Sequence, residues 1–99
     1  MSETIEPEWD HEIKCWPAYF GPIASGEKPF EVRRDDRGYQ RGQVLKIREY
    51  DLKRSGVEDH RYTRNQVFMR ITYILTGGQF GIEPGYVVLG LAKLEDTPA

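Results

Sequence analysis

Between Val67 and Leu75 the apolar residues Val67, Met69, Ile71, Tyr73 and Leu75 fall on every second position. A period of two belongs to a strand with one buried face, and it does not fit a helix, whose apolar stripe recurs every three or four residues. The same period puts Leu45 and Ile47 on one face of a second strand, with Lys46, Arg48 and Tyr50 opposite. Tyr86 to Leu91 is a continuous apolar run of buried-strand type, Glu12 to Trp16 makes a first strand, and a stretch through Phe30 and Val32 makes another. One helical segment is expected: Pro17 suits a first turn, Ala18, Tyr19, Phe20, Ile23 and Ala24 follow, and Gly26 sits where a left-handed cap would close it. Pro22 lacks an amide donor and crowds the preceding turn, which predicts two short or 3₁₀-like turns instead of one clean helix. Strands following one another without helical crossovers predict a mainly β, α+β fold with one or two short helices, a small and partly closed antiparallel-rich barrel.

A chain of 99 residues makes one domain, because two cores of half that size would not bury enough surface to be stable. The expected organisation is a flexible tail over 1–9, a single domain over 10–94 and a second flexible tail over 95–99. Cys15 is the sole cysteine, so no internal disulfide forms. No basic segment followed by an apolar run opens the chain, and no stretch approaches the roughly 18–20 apolar residues of a membrane span. The expected address is the cytoplasm.

The net charge of −2 argues against wholesale coating of a polyanion, yet it conceals an asymmetry. Met1 to Ile13 holds five acids and no Lys or Arg, whereas Lys28 to Arg64 holds eleven bases against seven acids. A local basic surface of this kind suits contact with a short segment of nucleic acid better than the wrapping of a duplex; a solvated mixed-charge surface is the plain alternative. Within the basic region, GEKPFEVR from Gly26 to Arg33 places Phe30 and Val32 toward the core by alternation, leaving Glu31 and Arg33 together on the other face. A carboxylate at that spacing can orient a neighbouring Lys or Arg whose remaining donors stay available for a phosphate or a base edge.

GEKPFEVR fits in every fixed position the G-x-K-x-x-E-x-R signature of the ASCH domain family, part of the PUA-like barrel superfamily. The likeness extends to His11-Glu12-Ile13-Lys14, to Tyr19-Phe20, to EVRRDDRGYQRGQVLKIREYD from Glu31 to Asp51, to ITYIL from Ile71 to Leu75 and to FGIEPGYVVL from Phe80 to Leu89. Over about Asp10 to Leu91 the chain resembles a phage and bacterial branch of that family without an assigned function. The resemblance implies a PUA-like barrel of five or six strands with a cleft beside the helix, lined by Lys28, Glu31 and Arg33 and proposed to bind RNA. The chain departs from that branch at Asp35-Asp36, where Asn-Asp is usual, and at Gly42-Gln43, where Gly-Asp is usual. Some small ASCH proteins resemble amidohydrolases that deacetylate acetylcytidine with a Lys, a Thr and a Glu; the position matching that threonine here is Glu31. Others have been linked to RNA cleavage, in which Lys28 and Glu31 would be the catalytic candidates.

Arg33, Arg34, Arg37 and Arg41 with Tyr39 interleaved would offer phosphate contacts and a stacking face for an unpaired base, although Arg34-Asp35-Asp36-Arg37-Gly38 equally forms a self-neutralising loop. Arg48, Tyr50 and Tyr86 complete the candidate RNA-contacting set. Asp35 and Asp36 make a poor metal pair, since adjacent residues on extended backbone point apart. His11 and Cys15 are roughly 13 Å apart at strand rise, too far to share one zinc, so no metal or cofactor is expected. TGGQFGIEPG from Thr76 to Gly85 joins two strands and lacks the Lys-Ser/Thr ending of a phosphate loop, so its glycines serve turns, with Glu83-Pro84-Gly85 a tight one. Trp9 and Trp16 can stack bases, but core packing is the expectation, especially for Trp16 before Pro17. The leading expectation is an RNA- or nucleotide-binding domain. A small hydrolase acting on a modified nucleoside or on RNA, and a protein-interaction module with no nucleic-acid ligand, are its rivals.

Overall fold

The computed structural model describes residues 5–54 and 58–94. Its elements are β1 (His11–Cys15), α1 (Pro17–Ser25), β2 (Phe30–Arg34), β3 (Val44–Tyr50), a short α2 (Glu58–Arg61), β4 (Tyr62–Thr76) and β5 (Tyr86–Lys93). The five strands form one curled half-barrel sheet in the order β1-β3-β4-β5-β2. β1 runs parallel to β3, and the other three pairings are antiparallel. A parallel pair needs a crossover, and α1 with β2 supplies it. The fold is therefore mainly β with short helices, as the alternation requires.

The core gathers Ile13 from β1, Leu45 and Ile47 from β3, Met69 and Ile71 from β4 and Leu89 from β5, all fully buried, with Phe20 and Ile23 of α1 packed against them. Two features depart from expectation. First, α1 is one continuous helix of nine residues with Pro22 inside it. Gly21 removes one of the two clashes: a helical proline ring crowds the residue before it as well as the carbonyl four residues back, and glycine has no Cβ to be crowded. Gly26 closes the helix in the left-handed region, at φ 88°, and donates its N–H to the Ile23 carbonyl.

Second, the alternation along β4 does not persist to Leu75. The register between β4 and β5 shifts between Ile71 and Tyr73, so that one extra residue, Thr72, is accommodated as a bulge. Beyond it the faces exchange: Tyr73 turns outward and Ile74 packs on the core. Gly90 lies opposite, where an added Cβ would stand 2.8 Å from the Thr72 hydroxyl.

Residues 5–9 lie against the outer face of the sheet. Glu6 accepts hydrogen bonds from Lys46 Nζ at 3.1 Å and Gln66 Nε2 at 2.9 Å, and Lys46 Nζ stands 5.6 Å from the Trp9 ring. The rest of the expected tails, 1–4 and 95–99, lies outside the described residues. Among the described residues no helix is long and apolar enough to cross a membrane, and no three His, Cys, Asp or Glu residues gather as a metal set.

Candidate functional site

β1 and β2 are the two edges of the curled sheet, and the half-barrel is open between them. Arginines reach across the opening. Arg33 Nη1 donates to the Lys14 carbonyl at 3.1 Å, and Arg37 Nη1 donates to the Glu12 carbonyl. These are alternate carbonyls of an edge strand, groups that need a partner wherever water is displaced. Beside these bridges a cleft of about 570 Å³ opens, within the range that takes a small organic ligand.

The floor of the cleft carries the GEKPFEVR side chains. In the β2–β5 register Glu31 pairs with Leu89 and Arg33 with Val87, both core residues, so Glu31 and Arg33 point inward. The expected placement of Phe30 and Val32 in the core is thereby reversed: they are 41% and 50% exposed, while Glu31 is only 8% exposed. The reversal is possible because the inward side of this edge strand faces the cleft, where Arg33 stays about a quarter exposed and the nearly buried Glu31 is matched by two cations.

Glu31 is clamped from both sides. Lys28 Nζ meets Oε1 at 3.4 Å and Arg33 Nη1 meets Oε2 at 3.2 Å. A nearly buried carboxylate is costly without a counter-charge, and two cations supply more than it needs. Lys28 is itself held: its backbone N–H donates to the Pro22 carbonyl at 2.9 Å, just beyond the Gly26 cap, and its ammonium lies 5.1 Å from the Tyr19 ring and 4.9 Å from the Phe30 ring.

Aromatic side chains form the rim. Trp16, in the N-cap position of α1, is 54% exposed, which corrects its expected place in the core. Tyr19 follows one helical turn later, and the two line the cleft together. Tyr86 stands on the far wall with the Arg34 guanidinium 5.5 Å from its ring. The turn expected at Glu83-Pro84-Gly85 places it: the Tyr86 N–H donates to the Glu83 carbonyl at 3.1 Å and Gly85 has φ 88°, the type II pattern.

Cys15 lies at the base of the cleft with its thiol pKa pushed up to about 11, first by burial and then by the nearby Glu31 carboxylate. It is a neutral thiol at physiological pH and a poor nucleophile. Its alkylation by iodoacetamide is expected to be at least about tenfold slower than that of free cysteine at pH 8, accelerating toward pH 11. Modification at the free-cysteine rate at pH 8 would show that the thiol is not buried against Glu31.

Of the expected site residues, Lys28, Glu31, Arg33, Arg34 and Tyr86 line this cleft. Arg37 is engaged at the Glu12 carbonyl. Tyr39 is corrected outright: it is 7% exposed, part of the core, with its ring edge-on to His11 at 4.9 Å, and a ring packed on both sides has no face for a base. Arg41 stacks over Tyr73, away from the cleft. Arg48 and Tyr50 belong to a separate cluster, in which Arg48 pairs with Glu12 at 3.2 Å and covers the Tyr62 ring at 4.0 Å, while Tyr50 is buried edge-on to Tyr62. His11 contacts Gln43 Oε1 at 2.9 Å. Sequence reasoning missed Lys14, Trp16 and Tyr19 as cleft residues; the i, i+3 spacing of Trp16 and Tyr19 across a helix start was the available signal.

Residues 10–91 match the family described as Domain of unknown function (DUF3850). The chain belongs to the DUF3850 family. The matched span contains every residue that lines the cleft and all of the sheet but the last two residues of β5. No curated protein matches this DUF3850 chain.

Proposed function

We propose that the cleft binds an unpaired nucleotide, within single-stranded RNA or free. The observation that carries this reading is the joint placement of a clamped, nearly buried Glu31 and an exposed aromatic rim around one nucleotide-sized cleft. Proteins grip unpaired nucleotides by stacking bases on aromatic rings, neutralising phosphate with Lys and Arg, and hydrogen-bonding the exposed base edge. Trp16, Tyr19 and Tyr86 offer the first, Lys28, Arg33 and Arg34 the second, and Glu31 an acceptor for the third. Lys28, Arg33 and Arg34 oppose one carboxylate along the lining, so the cleft favours an anion although the whole chain is acidic. The likeness of GEKPFEVR to the ASCH signature supports the same reading.

Fluorescence-anisotropy titration with short single-stranded RNA, duplex RNA and single-stranded DNA at two salt concentrations tests the reading. Wild-type affinity for the single strand should weaken with salt, and Lys28→Ala should lower it at least about tenfold while moving the thermal midpoint by only a few degrees. Loss of binding that merely tracks loss of folding would remove Lys28 from the site. The absence of binding to any nucleic acid or nucleotide would overturn the proposal.

A further inference from the structure

Resting on the nucleotide reading above, we propose that the cleft selects guanine, through hydrogen bonds from the base's Watson–Crick edge to Glu31. Each carboxylate oxygen can accept two hydrogen bonds. Oε1 receives Lys28 and Oε2 receives Arg33, so each oxygen of a carboxylate held from both flanks keeps one acceptor position. The complement of two parallel acceptors is a pair of adjacent N–H donors. Among the four RNA bases guanine alone presents that pair on its Watson–Crick edge, from N1–H and the 2-amino group. Adenine and cytosine place a ring-nitrogen acceptor beside their amino group, and uracil has one N–H between two carbonyls.

The flanking cations complete the match. Guanine O6 adjoins N1–H on the same edge, and both Lys28 and Arg33 have donors left after their bond to Glu31. A base that turned an acceptor toward Glu31 would meet lone pairs on a carboxylate already removed from water, which is a basis for rejection as well as for choice. The purine ring would be stacked by the rim aromatics, and the excess positive charge of the lining is left for its phosphate.

The test compares the labelled pentamers r(UUGUU), r(UUAUU), r(UUCUU), r(UUUUU) and r(UUIUU), where I is inosine, by anisotropy, with GMP and IMP as competitors. Inosine lacks only the 2-amino group. The guanine pentamer is expected to bind about tenfold or more tightly than the inosine and adenine ones, with GMP competing better than IMP by a similar factor. Glu31→Gln, which exchanges one acceptor for a donor, should bring the pentamers to within about threefold of one another. Because the G-against-I comparison uses the wild-type protein, it decides the matter even if that variant folds poorly. Equal affinity for all pentamers would overturn the guanine assignment and leave the nucleotide reading standing; failure of every pentamer and mononucleotide to bind would overturn both.

Discussion

Gly77→Ala is expected to lower stability by about 3 kcal/mol, a fall of roughly 12–24 °C in thermal midpoint for a domain of this size. The cause is steric. A Cβ on Gly77 would stand 2.0 Å from the Glu83 carbonyl oxygen and 2.7 Å from that of Tyr86, and neither main-chain atom can rotate away. The Gly77 N–H also donates to the Tyr86 carbonyl at 2.7 Å, so relief by separating the two segments would break the end of the β4–β5 ladder. Because that ladder and the Glu83-Pro84-Gly85 turn together place Tyr86, the variant should lose cleft binding along with stability. Gly90→Ala provides the comparison: its nearest obstacle is the Thr72 hydroxyl, a side-chain atom that can turn, and the expected fall is smaller. Thermal unfolding followed by circular dichroism measures both. A Gly77→Ala midpoint within 3 °C of wild type would show that the loop does not close so tightly on β4.

Arg33→Ala is expected to weaken RNA binding about 30-fold or more, equivalent to about 2 kcal/mol of charge-assisted contact, and to lower stability by about 1 kcal/mol. Both effects arise from one guanidinium that spans the opening. It bonds the Lys14 carbonyl and the Glu31 carboxylate, and its remaining donors face the cleft. The stability term is kept small because the Arg33 side chain is about a quarter exposed and its pairing is screened by water. Arg33→Lys should be intermediate, since an ammonium keeps the charge but offers three donors on one nitrogen in place of the five that the guanidinium holds in a fixed plane. The slope of affinity against salt should fall by about 0.7 for each phosphate contact removed from a single strand. An Arg33→Ala protein that binds RNA as wild type with an unchanged salt slope would place the ligand elsewhere.

The elements of this fold were legible where periodicity is strong. Alternation at Leu45 and Ile47, the buried run at Tyr86 to Leu91 and the Pro17-to-Gly26 punctuation each correspond to an element. The misses occur where one local rule was offset by another. Gly21 relieved the clash that Pro22 imposes on the residue before it, and the bulge at Thr72 inserted a residue into an otherwise regular strand. Neither compensation leaves a periodic trace. In the site, the charged members of GEKPFEVR were found by their chemistry, but Tyr39 and Trp16 exchanged roles. An aromatic side chain serves equally well in a core or on a rim, and its type does not tell which.

The residues of β2 alone make it a strand with two unlike faces, one carrying Phe30 and Val32 and the other Glu31 and Arg33. Which face turns inward depends on how the whole sheet packs. Alternation assigns the apolar face to the core when the strand is covered on one side by protein and on the other by water. β2 is an edge strand of an open half-barrel, and the inward side of such a strand looks into a cleft reached by solvent. Its orientation is fixed by the register with β5, whose Val87 and Leu89 must be buried and so carry Arg33 and Glu31 in with them. The hydrophobic gain of a neighbouring strand thus set the direction of these charges, and with it the charged lining of the cleft.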